Sequence, residues 1–231
     1  MNVQVHYAIL SQRVMELDAA AMEQKFLYTD DAGFNLAKTR RRGRNVIGHC
    51  AIVRVPGQLG GNITMCAAIS QNGGVHQHAT LGLYNTAHII TFLETLHNIL
   101  IPHHEGEGPG QSSIVVVWDN VSFHLAVQVK NWFTDHPQFV LLYLPPYSPF
   151  LNPIEEFFSA WRWKVYDRLP HQRIPLLQAM EEACGNIDEG ACQGWIHHSR
   201  RYFPSCLAKE DIACDVDELL WPDPDRRQDA P

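Results

Sequence analysis

Ile114-Val-Val-Val-Trp118-Asp119-Asn120, followed by Leu144-Pro-Pro-Tyr-Ser-Pro-Phe-Leu-Asn-Pro-Ile-Glu155, decides how the chain is read. The run from Ile114 to Trp118 is β-branched and uninterrupted, the pattern of a strand buried on both faces of a sheet. Asp119 stands where that strand stops. His124 to Phe133 then reads as a helix, so an acidic residue sits in the crevice beyond a strand's carboxyl end. A second apolar run, Phe139 to Leu144, ends at the breaker pair Pro145-Pro146. Asn152-Pro153-Ile154-Glu155 then carries a helix-start signature, with Asn as N-cap, Pro at the first helical position and Glu at the third.

The helix that follows is expected to reach about Tyr166. Ile154, Phe157, Phe158, Trp161 and Val165 recur at three and four residues, so one stripe packs on the sheet. Glu155 belongs to another face, with Ser159 and Arg162. Its bland role would be a capping box reaching back to Asn152; that of Asp119 would be a turn residue closing a strand.

Upstream, Lys25 to Thr29 reads as a short strand ending at Asp30-Asp31, with Gly33 supplying a turn. A β-meander is expected from Arg44–Arg54, Ile63–Ile69 and Val75–Leu83, punctuated by Pro56-Gly57, Gly60-Gly61 and Asn72-Gly73-Gly74. A helix from Thr86 to Leu100 places Ile89, Ile90, Leu93, Leu96 and Leu100 on one face. The pattern implies an α/β domain of ribonuclease H-like type: a mixed five-stranded sheet, three strands antiparallel and two parallel, flanked by helices and continued by a helical C-terminal extension. Asp30 and Asp119 would be neighbours on it. Strand alternation favours Asp30 over Asp31, which would point to the opposite face.

From about Phe26 to Arg168 the chain resembles the catalytic domain of mariner-type and related insertion-sequence transposases, the DDE superfamily endonucleases. The resemblance is carried by Tyr28-Thr-Asp30-Asp31-Ala-Gly-Phe34, by Val117-Trp-Asp119-Asn120 with His124, and by Pro145-Pro-Tyr-Ser-Pro149 leading into Leu151-Asn-Pro-Ile-Glu155. Between Asp119 and Glu155 lie 35 residues, close to the short separation this family keeps between its second and third acidic residues. Asp30-Asp31 departs from the Asp-Glu often found at the first site, but keeps a carboxylate.

That resemblance implies Asp30, Asp119 and Glu155 as catalytic carboxylates and metal ligands. They would hold two Mg²⁺ ions, or Mn²⁺ as substitute, about 3.5 to 4 Å apart for cleavage and strand transfer of DNA. Hard divalent ions take oxygen ligands, so no histidine or cysteine is needed. Asn120 and His124 become candidates for DNA-backbone or supporting contacts. Arg40, Arg41, Arg42 and Arg44 form a compact basic run, and Arg162 and Lys164 lie on the third-site helix; all six are candidate DNA contacts. Solvated charge is the plainer reading of the arginines, and a core position that of Trp161 and Trp163.

A net charge of −7 weighs against DNA binding, which depends on Lys and Arg neutralising phosphates. No apolar run reaches the length of a membrane span, and residues 1–21 are too polar for a signal peptide. The expected setting is nuclear for a eukaryotic element and otherwise cytoplasmic, not secreted, with six free thiols. Cys184, Cys192, Cys206 and Cys214 flank His197-His198 but lack zinc-knuckle spacing, and read as buried thiols. His76, His78, His103 and His104 read as loop or strand-edge residues.

The domain reading is a linker-helix remnant at 1–22, the catalytic domain at 23–168, a helical extension at 169–220 and a disordered tail at 221–231. Residues 1–22 cannot hold a helix-turn-helix reader of terminal repeats, so a catalytic domain acting with a separate DNA-binding domain or as a homodimer is expected. The rival reading is a catalytically silent remnant that binds nucleic acid or protein. A third is a structure-selective or RNA-cleaving relative.

Overall fold

The computed structural model describes residues 3–20, 24–34, 63–101, 113–119, 126–168 and 173–212. Its centre is a five-stranded sheet of order β3-β2-β1-β4-β5, built from β1 (Gln24–Phe34), β2 (Ile63–Ser70), β3 (Gly73–Leu81), β4 (Ser113–Trp118) and β5 (Phe139–Tyr143). β1, β2 and β3 are antiparallel neighbours; β4 lies parallel to β1, and β5 parallel to β4. The ribonuclease H-like arrangement expected from the sequence is therefore present. The expected strand Arg44–Arg54 lies outside the described residues.

β4 explains the topology. Flanked by β1 and β5, it is covered on both faces: Val115 and Val117 enter one core cluster, and Val116 and Trp118 enter the other. The second cluster is closed by α2 (Thr86–Leu100) and α3 (Val127–Asp135), through Ile89, Phe92, Leu93, Leu96, Val129 and Trp132. Asn85 caps α2 by accepting a hydrogen bond from the His88 amide at 3.0 Å. Phe92, absent from the expected apolar face, is fully buried against the His76 ring.

The first cluster is closed by α4 (Ile154–Asp167), whose buried residues are the expected Ile154, Phe157, Phe158, Trp161 and Val165. α1 (Val3–Asp18), α5 (Arg173–Gly185), α6 (Glu189–Arg200) and α7 (Phe203–Ala208) pack on that same side. They contribute Tyr7, Leu10, Val14, Met180, Cys192 and Cys206 to its core. The Trp161 indole N–H donates to the Met180 carbonyl at 3.0 Å, tying α4 to α5. Among the described residues no helix is long and apolar enough to cross a membrane.

Four local expectations are corrected. β1 does not stop before Asp30 but runs to Phe34, because β2 pairs with it as far as Phe34↔Ile63 and Ala32 and Phe34 are buried. Gly33 is accordingly a mid-strand residue opposite Thr64, not a turn. α3 begins at Val127, since Ala126 has an extended backbone (φ −56°, ψ 145°) and cannot extend the helix backwards. Trp163 is 49% exposed, because two residues beyond the buried Trp161 a helix has turned about 200° away from its core stripe.

Candidate functional site

Asp30 stands on the same side of β1 as Phe26, Tyr28, Ala32 and Phe34, the side facing α4. The parallel pairing of β1 with β4 is recorded as far as Thr29↔Trp118, so Asp30 and Asp119 occupy adjoining positions one step further along. Asp119 follows Val115 and Val117 in alternation, and its charge acts on the Asp30 carboxyl. Glu155 enters from the first turn of α4. Three carboxylates from three separate elements are thus assembled at one edge of the sheet. Asp31 is directed to the opposite face, where it lies opposite Cys66 and contributes to holding the buried Cys66 thiol protonated.

The assembly is electrostatically expensive. Asp30 is only 8% exposed, and its pKa is raised to about 8, first by burial and then by the charge of Asp119, with Glu155 adding to the rise. Glu155 is accessible to water, yet the protein around its carboxyl raises its pKa; Arg162 opposes that rise, while Asp119 and Glu156 reinforce it. Arg162, on the Glu155 face of α4, is therefore the sequence-nominated cation that the structure brings to the cluster. Lys164 is half-buried further along the helix. Asn120, His124, Arg40, Arg41, Arg42 and Arg44 lie outside the described residues.

Asn152 has a role the sequence did not reveal. Read as the N-cap of α4, it is instead 3% exposed, and its amide donates to Asp30 Oδ2 at 3.0 Å, while the Asp31 N–H donates to Asp30 Oδ1 at 2.8 Å. Pro153 takes the cap position without a side-chain bond, and the capping-box reading of Glu155 falls with it. Asn152 is spent on orienting a carboxylate 122 residues away. Replacing Asn152 by Ala should raise the Asp30 pKa further and weaken Mn²⁺ binding roughly 10- to 100-fold, by titration calorimetry at pH 7.5. Unchanged affinity would show that Asp30 is oriented without it.

The donor set suits a hard divalent cation. Repulsion among three carboxylates is the kind of cost that a bound cation relieves, and all the side-chain donors are oxygen. Among the described residues no group of three acidic, histidine or cysteine side chains is arranged to hold a metal ion. Cys184, Cys192 and Cys206 are buried free thiols, as expected, and Cys184 is pushed up to about 12 by burial.

A ribonuclease H-like sheet carrying an acidic residue within β1, another just after β4 and a third at the start of α4 defines a nuclease-type α/β domain. The family model for the DDE superfamily endonuclease matches residues 25–178, and the chain belongs to that family. An uncharacterized 39 kDa protein of insertion element IS630 from Shigella sonnei is 23% identical over 144 residues, which is 62% of this chain and 39% of that protein. The catalytic domain of Mos1 mariner transposase has a similar fold, with a TM-score of 0.66 at 15% identity over 91% of this chain and 94% of that one. A pre-cleavage Mos1 transpososome gives 0.69 at 16% identity, covering 92% of this chain and 65% of that one. The chain thus spans less than two thirds of the length of the relatives other than the isolated catalytic domain.

Proposed function

We propose that this domain cleaves and joins DNA phosphodiesters in a transposition reaction, with Asp30, Asp119 and Glu155 as the residues that hold divalent metal. The observation that carries the reading is the buried Asp30 carboxyl, held by Asn152 in a position where Asp119 and Glu155 both raise its pKa. A fold gains nothing from gathering three repelling carboxylates, and a counter-charge that neutralises them accounts for their presence. Mg²⁺, or Mn²⁺ in its place, would supply activation of the attacking water or 3′-hydroxyl and stabilisation of the leaving oxygen.

The chain's own residues set the conditions for that chemistry. Asp119 stands beside Asp30 at the end of β4 and faces the same side, so it is the residue placed to share an ion with either neighbour. Glu155, accessible on α4, faces incoming substrate. Arg162 opposes the pKa rise that burial and Asp119 impose on Glu155, and so favours its charged form. Support for DNA as substrate comes from the neighbours: Mos1 has been solved as a paired-end complex with the left transposon end, and as a paired-end complex with Mn. Mn²⁺-dependent nicking of supercoiled plasmid, compared between the wild type and carboxylate variants, is the test.

A further inference from the structure

We propose that Tyr147 is a DNA-contact residue whose ring stacks on an unpaired base next to the phosphate being cut; this rests on the carboxylate cluster being a nuclease site. Tyr147 has a left-handed backbone, φ 59°. Among the described residues the only other non-glycine with positive φ is Lys209, which closes α7 where a left-handed residue is an ordinary helix stop. Tyr147 has no such excuse. A bulky residue in this conformation is strained, and strain of this kind persists only where the surroundings enforce it.

The surroundings do enforce it. The Tyr7 hydroxyl on α1 donates to the Tyr147 carbonyl at 2.8 Å. Beneath it the buried Ser148 hydroxyl donates to the Pro145 carbonyl at 2.6 Å. Phe150 is gripped edge-on between the rings of Tyr7 and Tyr202, with centroids 5.3 and 5.1 Å away. All this fixes the backbone, while the Tyr147 side chain is left 86% exposed. A rigid pedestal therefore presents an aromatic ring to solvent.

The location of the pedestal selects the occupant. The loop starts at Leu144, whose N–H donates at 2.7 Å to the carbonyl of Trp118, the residue before Asp119. It ends at Asn152, which holds Asp30. Its two ends are thus bonded to the elements that carry two of the three carboxylates, and its third neighbour is the helix of Glu155. A phosphodiester drawn to that edge brings its flanking bases past the loop. In a chain of net charge −7, phosphate neutralisation contributes less affinity than usual, and stacking on a neutral ring does not suffer from that deficit. Base stacking is also tolerant of sequence, because every base has a π face.

The test compares Tyr147→Ala with Tyr147→Phe and Tyr147→Trp, all checked for unchanged melting temperature. Plasmid nicking is read as KM and kcat, and binding of a fluorescein-labelled single-stranded oligonucleotide without metal is read alongside. Tyr147→Ala should raise KM about 10-fold or more and weaken oligonucleotide binding by a similar factor, with Mn²⁺ affinity unaltered. Phe and Trp should stay within about threefold of the wild type. An alanine variant with wild-type KM and binding overturns the contact, and so does a Phe variant as impaired as Ala, which would assign the effect to the hydroxyl. If the wild type neither binds Mn²⁺ nor nicks, the nuclease reading fails, and the binding arm still judges Tyr147: a selective loss in the alanine variant supports it, and no loss overturns it.

Discussion

Asp119→Asn and Glu155→Gln are each expected to lower Mn²⁺-dependent nicking of supercoiled plasmid by roughly a thousandfold or more, while melting within a few degrees of the wild type. The size follows from the chemistry. A metal ligand supports several kcal/mol of transition-state charge stabilisation, and each ~1.4 kcal/mol is a factor of ten in rate. The folding side of the ledger is small for both residues. Asp119 lies beyond the last residue of β4, and Glu155 projects from the exposed side of α4, so neither amide leaves a hole in the core. Calorimetric titration with Mn²⁺ separates the outcomes. Loss of nicking together with loss of Mn²⁺ binding in both variants is the expected pair. Either variant retaining more than a tenth of the wild-type rate would remove that carboxylate from the reaction. A wild type that binds Mn²⁺ without nicking would point to chemistry that waits on a partner for DNA capture; one that neither binds nor nicks would be the silent module.

How much of this was legible follows from the range of the interactions involved. The stripe of α4 and the double-sided burial of β4 are written in local periodicity, because 3.6- and 2-residue repeats dictate which side chains meet the sheet. The adjoining placement of Asp30 and Asp119 was legible too, once β1 and β4 were taken as parallel neighbours. The end of β1 was not: Gly33 in isolation signals a turn, and only pairing with Thr64 across the sheet keeps it extended. Asn152 was misread for a similar reason. An Asn before a Pro and a Glu is locally an N-cap, and the buried acid to which its amide donates lies 122 residues away in sequence. Tyr147 gave no signal of strain, since its left-handed backbone is imposed by Tyr7 and by the packing of Phe150.

Asp30 should carry a cost in stability that grows with pH, and Asp30→Asn should remove it. The folded-state pKa is raised to about 8, against 3.8 for the unperturbed group. Between those values the native protein holds a proton that the unfolded chain has released. Stability is therefore lost as pH climbs from about 4 through about 8, and no further above that. At ~1.4 kcal/mol per pH unit, the loss between pH 5 and pH 8 is on the order of 4 kcal/mol, or roughly 10 °C in a chain of this size. An asparagine at position 30 does not titrate. It can still accept from the Asp31 N–H, and its own amide can donate to the Asn152 Oδ1, buried without a hydrogen-bond partner among the described residues, when the Asn152 carboxamide flips to face it. Melting scans at pH 5 and pH 8 should show the variant gaining on the wild type by about 10 °C as pH rises. A gap of the same size at both values would mean that Asp30 is not a protonated acid in the free protein. Saturating Mn²⁺ at pH 8 should then close most of the gap by stabilising the wild type alone, because a cation offsets the repulsion from Asp119 and Glu155 and displaces the proton that Asp30 otherwise keeps. A residue that costs the fold stability at neutral pH is thus one whose charge is useful only when a counter-ion is bound.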